Sequence, residues 1–162
     1  MTIKVGDRLP EATLLKMGEK GVEQHSVTSL TAGRRVVIFG LTGAYTATCS
    51  TLHVPSFIST AAAFRAKGVD EIICFATDTP HVMDAWGKAT GGADAGITFL
   101  SDAANELTVA TGMDFTVPAI GFYKRTKRFS AMVEDGVVTQ FNPEPLGSEC
   151  EFSGGETLLG QI

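Results

Sequence analysis

The run Arg35-Val36-Val37-Ile38-Phe39-Gly40-Leu41 narrows what this chain can become more than any other segment. It is apolar without alternation, which is the pattern of a strand buried on both faces rather than one with a wet side. A short loop, Thr42-Gly43-Ala44-Tyr45, follows it, and then a helical stretch from about Ala47 to Lys67. Phe57, Ala61 and Phe64 stand at helical spacing there, and Gly68 supplies a stop. Pro55 lies inside this stretch and predicts a kink, because proline has no N–H for the Thr51 carbonyl. A strand buried on both faces and followed by a helix demands layers on either side of a sheet, so the expected class is α/β.

The rest of the pattern agrees. Val69 to Ala76 reads as a second strand, and Thr79-Pro80 opens a helix running through Trp86, with proline at its first position. Ile97 to Leu100 reads as a short strand and Ala103 to Thr111 as a short helix. Lys127 to Val133 and Val137 to Phe141 predict a hairpin around Glu134-Asp135-Gly136, and Glu156 to Ile162 a closing helix. Strand–helix–strand early and a hairpin late imply a central mixed β-sheet flanked by helices. The 162 residues suit one domain spanning 1–162.

A net charge of -5 gives no overall basic surface, so neither nucleic acid nor an acidic membrane is an expected partner. No apolar stretch is long enough to span a bilayer, and the first residues, Met1 to Asp7, show no apolar leader, so the expected compartment is cytoplasmic. The three cysteines, Cys49, Cys74 and Cys150, are odd in number and include no C-x-x-C pair, which does not read as a disulfide framework. Cys49 with His53 makes too few ligands for zinc, so no metal and no cofactor are expected.

Cys49 is the candidate for chemistry. Thr46-Ala47-Thr48-Cys49 lies where the first strand turns into the helix. With Thr46 as N-cap, its hydroxyl accepts from the N–H of Cys49. The thiol then sits in the first helical turn, where unpaired N–H groups and the positive end of the dipole favour thiolate. The thiolate is the nucleophilic form of cysteine. On these residues alone Thr46 could equally be only a cap and Cys49 only a small buried hydrophobe.

The longer segment tips the balance. Phe39-Gly40-Leu41-Thr42-Gly43-Ala44-Tyr45-Thr46-Ala47-Thr48-Cys49-Ser50-Thr51-Leu52-His53-Val54-Pro55 resembles the active-site signature of the peroxiredoxins, in particular the type II or peroxiredoxin 5 branch, roughly F-G-x-P-G-A-F-T-P-x-C-S-x-x-H-x-P. Gly68 to Cys74, Val82-Met83 and Ala85 to Lys88 resemble that family's second strand and following helix, and Arg125-Thr126-Lys127-Arg128-Phe129-Ser130 its arginine segment. The resemblance implies a thioredoxin-like fold and a peroxidase in which Cys49 attacks the peroxide and becomes a sulfenic acid. It implies that Thr46 orients thiolate and peroxide, and that Arg128 holds the thiolate and polarises the peroxide. Thr42, Gly43, Tyr45 and Thr48 would line the pocket. Thr42 departs from the motif, which has proline there. His53 is left outside the catalytic set.

The same resemblance offers Cys74 as a possible resolving cysteine, although mid-strand burial is expected of it. Cys150 falls two residues short of the place where animal members keep theirs. A one-cysteine cycle closed by glutaredoxin, glutathione or thioredoxin is therefore the first expectation and an internal disulfide the second. The resemblance also implies a homodimer built on Gly43-Ala44-Tyr45 and Thr77 to His81. Two other classes fit such a fold: a binding or redox-signalling protein with lost peroxidase activity, for which Thr42 is an early sign, and a metal chaperone, which the lack of a second cysteine near Cys49 disfavours.

Overall fold

The computed structural model describes residues 1–146 and 150–162. Nine strands, β1 (Thr13–Gly18), β2 (Gly21–Ser26), β3 (Arg35–Gly40), β4 (Glu71–Ala76), β5 (Thr98–Ser101), β6 (Asp114–Val117), β7 (Phe122–Thr126), β8 (Phe129–Glu134) and β9 (Val137–Pro143), are described. Five α-helices accompany them: α1 (Val27–Thr31), α2 (Val54–Ala66), α3 (Pro80–Ala89), α4 (Glu106–Ala110) and α5 (Gly155–Leu159). Seven strands form one mixed sheet in the order β2-β1-β5-β4-β3-β8-β9, while β6 and β7 pair separately. β3 runs parallel to β4 and antiparallel to β8, and β4 runs parallel to β5.

The unbroken apolar run of β3 is explained by its place in the middle. Val37 and Phe39 enter one core with Phe57, Phe64, Met83, Trp86 and Leu158, the inward faces of α2, α3 and α5. Val36 and Ile38 enter the other, with Val27 and Leu30 of α1 and Leu107 of α4. β4 divides the same way, Ile72 and Cys74 to one side and Ile73 and Phe75 to the other. Period-two alternation thus persists, but both sets are apolar because helices cover both faces.

Several sequence expectations need correction. The kinked helix from Ala47 to Lys67 is instead a π-helical turn, Cys49–His53, leading into α2. Pro55 is the reason: it cannot bond the Thr51 carbonyl, and the preceding turn widens so that the Val54 N–H bonds the Cys49 carbonyl, five residues back. Helix α4 starts three residues late because Asn105 is left-handed (φ 60°). The Asp102 carboxylate instead accepts the N–H groups of Leu107 (3.2 Å) and Thr108 (2.8 Å). The β1–β2 hairpin and the β6–β7 pair had no strong signal, since most of their residues are only partly buried or exposed.

The C-terminal segment closes over the start of α2. The Glu144 carboxylate accepts the N–H groups of Glu151 (3.0 Å), Phe152 (3.0 Å) and Ser153 (2.9 Å) and the Ser153 hydroxyl (2.8 Å). Nε2 of the fully buried His53 lies 3.1 Å from the Ser153 carbonyl, to which it donates, and the ring packs beside the stacked pair Phe39–Phe57. Burial, and then the positive charge of Arg128, push the His53 pKa down to about 3. His53 is therefore neutral at physiological pH.

A depressed histidine pKa makes folding pH-dependent. The unfolded chain takes up a proton at about pH 6.5, the ordinary histidine value. The contribution is fully present above that value and is lost as pH falls toward about 3. His53→Gln keeps a donor for Ser153 but does not titrate. Urea denaturation at about pH 7.5 and about pH 4.5 is expected to show a larger stability loss in the wild type than in the variant. Equal losses would mean that His53 does not carry this pH dependence.

Candidate active site

The site is built at the rim where β3 and β4 end. Gly40 closes β3 opposite Phe129, and a Cβ there would come within 2.8–2.9 Å of Phe129, Phe75 and Thr126. No other residue lets these side chains approach the strand end so closely. The chain then folds back through Thr42–Thr46, with Tyr45 in the left-handed region (φ 65°). Helical geometry begins at Ala47, and Cys49 opens the π turn. Across this turn, the Trp86 indole N–H of α3 donates to the Ser50 hydroxyl at 3.0 Å.

Cys49 is fully buried, and three side chains converge on it. The Thr42 hydroxyl lies 3.4 Å from Sγ, and Nη2 of Arg128 lies 3.5 Å from it. Thr46 also interacts with the sulfur. Burial alone would raise the thiol pKa, but the hydrogen bonds of Thr42 and Arg128, with the charge of Arg128, outweigh it and hold the pKa below the ordinary thiol range. The expected cap is not formed as read from sequence. The Thr46 hydroxyl donates to the Gly43 carbonyl at 2.7 Å and does not accept from the Cys49 N–H.

Arg128 reaches Cys49 because of strand register. It directly precedes β8, whose Phe129 pairs with Gly40, so residue 128 stands beside the loop after β3. Its carbonyl accepts the Glu144 N–H at 2.8 Å, anchoring the backbone there. Arg125 is held elsewhere. Its Nη1 pairs with Asp78 Oδ1 at 3.0 Å, and Asp78 Oδ2 accepts the Ala44 N–H at 2.8 Å. Gly43 fits against this pair, where a Cβ would come within 3.0 Å of Arg125 and 3.3 Å of Asp78. Asp78 was missed as a site residue. In the sequence it stood only as part of the Thr77–His81 loop expected at the dimer interface.

The remaining candidates scatter. Tyr45 is 61% exposed. Thr48 is half-buried and makes no capping hydrogen bond. Cys74 is fully buried in β4, paired with Phe39 and Phe99 across the ladder. Burial, and then the nearby Cys49, raise its pKa, so it stays a thiol. Cys150 is half-buried, lines a hollow of about 380 Å³ with Thr51, Pro55 and Ser59, and has its pKa raised mainly by burial. None of the three cysteines is in a disulfide.

Comparison with known proteins gives the site its context. The sequence model of the redoxin family matches residues 4–159. The chain is 42% identical over 161 residues to peroxiredoxin-2E-2, chloroplastic, of Oryza sativa subsp. japonica, covering 97% of this chain and 72% of that one. It is 42% identical over 130 residues to peroxiredoxin-2F, mitochondrial, of Arabidopsis thaliana, covering 80% and 64%. The crystal structure of reduced Prx3 from Vibrio vulnificus in complex with hydrogen peroxide superposes with a TM-score of 0.90 at 37% identity, covering 99% of each chain. These names overturn the cytoplasmic expectation, which was only a default: similar proteins are chloroplastic and mitochondrial. The agreement runs through sequence and structure alike and covers nearly every residue: this chain belongs to the redoxin family as a peroxiredoxin of the type II, peroxiredoxin 5-like branch, a thiol peroxidase of antioxidant function.

Proposed function

We propose that Cys49 is the peroxidatic cysteine and that residues 1–162 act as one redoxin-type domain reducing hydrogen peroxide and organic hydroperoxides. The Cys49 thiolate attacks one peroxide oxygen. The S–O bond forms as the O–O bond breaks, and the departing oxygen takes a proton to leave as water or an alcohol. Cys49 is left as a sulfenic acid. Arg128 stabilises the thiolate and offers planar, forked donors to the peroxide oxygens. Thr46 orients both. The observation that carries this reading is the convergence of the Arg128 guanidinium and a threonine hydroxyl on one buried sulfur.

An external thiol then closes the cycle, supplied by glutaredoxin and glutathione or by thioredoxin. It attacks the sulfenic sulfur, releases water and leaves a mixed disulfide for a second thiol to exchange. Cys74 is a poor internal candidate, since a fully buried, un-ionised thiol is a weak attacker and its strand position is fixed by pairing on both sides. A two-fold homodimer would bring the rims carrying Tyr45 and Thr77–His81 together, with Tyr45 as a flat anchor.

Cys49→Ser is expected to abolish peroxide consumption, because a hydroxyl is a far weaker nucleophile than a thiolate. Cys74→Ser and Cys150→Ser should keep the first step. Stopped-flow mixing with peroxide checks all three, and a fast reaction in the Cys49 variant would sink the assignment.

Arg128→Ala is expected to slow peroxide attack by about 10²–10³ and to move Cys49 ionisation to higher pH. Arg125→Ala loosens the Asp78–Ala44 tether and should slow attack less, leaving the ionisation of Cys49 in place. Oxidation and alkylation rates followed against pH separate the two; equal pH shifts would mean that the wrong arginine is assigned.

Sedimentation at several concentrations tests the dimer. The expected result is dissociation on dilution, shifted further toward monomer by Tyr45→Glu. A wild type that is monomeric even at high concentration, or a Glu variant that dimerises as well, would discard this interface.

A further inference from the structure

Thr42 stands where the motif this segment resembles has proline, a residue with no hydroxyl to offer. Here the hydroxyl is half-buried and lies 3.4 Å from Cys49 Sγ and 3.4 Å from the Thr46 hydroxyl. A threonine hydroxyl has one proton to give. Thr46 spends its own on the Gly43 carbonyl at 2.7 Å, a well-formed bond to a fixed backbone acceptor. Thr42 must then choose between a neutral hydroxyl and a sulfur carrying charge. Hydrogen bonds to an ionised acceptor are roughly twice as strong, so its proton goes to the sulfur. We propose that Thr42 is a catalytic residue of this chain: its hydroxyl donates directly to the Cys49 thiolate and, together with Arg128, keeps that thiolate ionised.

The other groups facing Cys49 do not supply this effect. Cys74, from β4, is a thiol, and its burial keeps it un-ionised. His53, on the same π turn, is neutral above about pH 3. Arg128, approaching from the start of β8, is the one charged group facing the sulfur among the described residues that bear on its ionisation. A single guanidinium beside a fully buried anion leaves part of the sulfur surface unserved. Thr42 comes from the loop after β3 and adds a second donor from a different element of the fold. Its effect should differ from that of Arg128. A donor that serves the thiolate before peroxide arrives sets how much of Cys49 is ionised, and by drawing off charge it also makes the sulfur a somewhat weaker nucleophile.

The proposal rests on the reading of Cys49 as peroxidatic, but it is tested on ionisation by a probe that needs no peroxide. The rate of Cys49 alkylation by iodoacetamide is followed against pH in the full chain carrying Cys74→Ser and Cys150→Ser, with Thr42, Thr42→Val or Thr42→Ser. Thr42→Val keeps the shape and removes the donor. It is expected to leave about tenfold less thiolate at pH below both midpoints, a midpoint shift of about one unit. At alkaline pH its alkylation plateau should equal the parent's or exceed it by up to about threefold. Thr42→Ser should restore the parent midpoint. If the Val variant does not fold by circular dichroism, Thr42→Ala replaces it with the same expectation. An unmoved midpoint in the Val or Ala variant, or a Ser variant that titrates like Val, overturns the proposal. So does a plateau that falls, because Thr42 would then act on the attacking geometry rather than on ionisation. Stopped-flow oxidation of the parent protein is run alongside. A parent Cys49 that alkylates as a thiolate but ignores peroxide refutes the peroxidase reading and leaves the Thr42 result standing.

Discussion

A buried sulfur can hold negative charge only if the protein returns what water would have supplied, and the β3–β8 register is what makes this possible. Gly40 pairs with Phe129, and that one register brings residue 128 alongside the loop that carries the cysteine. A slip of one residue would turn Arg128 to the other face of the sheet. The register is held by burial on both faces of β3 and by the close approach of Phe129 and Phe75 to a strand end without a side chain. The electrostatics of Cys49 therefore depend on the packing of the central sheet.

Two further tethers confine the turn around the sulfur. On the loop side, Asp78 joins the Arg125 guanidinium to the Ala44 N–H, so β4 and β7 together hold the segment that presents Thr42 and Thr46. On the helix side, Glu144 gathers three backbone N–H groups of the C-terminal segment, and His53 donates to the same segment one turn after Cys49. Between them lies the π-helical turn Cys49–His53, directly ahead of Pro55 in the first turn of α2. The turn is thus clamped from both sides. π turns of this kind recur at functional sites, where they aim a side chain that a regular helix would misplace.

The division of labour among the polar groups follows from chemistry. Arginine brings charge that no pH in the working range removes, and its fork suits two oxygens. Hydroxyls bring direction without charge, so Thr42 and Thr46 can share one small space, with Thr46 tied to the backbone and Thr42 turned to the sulfur. His53 is a weak proton acceptor, since burial and then Arg128 push its pKa down to about 3. It is a core residue that stands one turn from Cys49.

Much of the architecture was legible in the residues themselves. The apolar run without alternation read as a strand covered on both sides, and β3 is covered on both. Thr79-Pro80 announces a helix start, and the structure shows Thr79 accepting from the Val82 N–H there. The motif pointed to Cys49 and the arginine segment to Arg128, whose Nη2 lies 3.5 Å from that sulfur. The weak edges were not legible, because β1 and β2 are half-exposed and carry no clear period. The surroundings of the Cys49 sulfur were not legible either. Thr46 looked like a cap because its spacing from Cys49 allows one, yet the hydroxyl found a nearer acceptor in Gly43 once the loop had folded back. Asp78, Arg125 and Glu144 are ordinary charges in the sequence and become tethers only when strands far apart in the chain end at one rim. Sequence by itself determined which residue types are available and the local periodicities that build strands and helices, because these depend on neighbours along the chain. Tertiary structure decided which polar groups meet the sulfur, because that depends on cross-strand register and on distances no local pattern encodes.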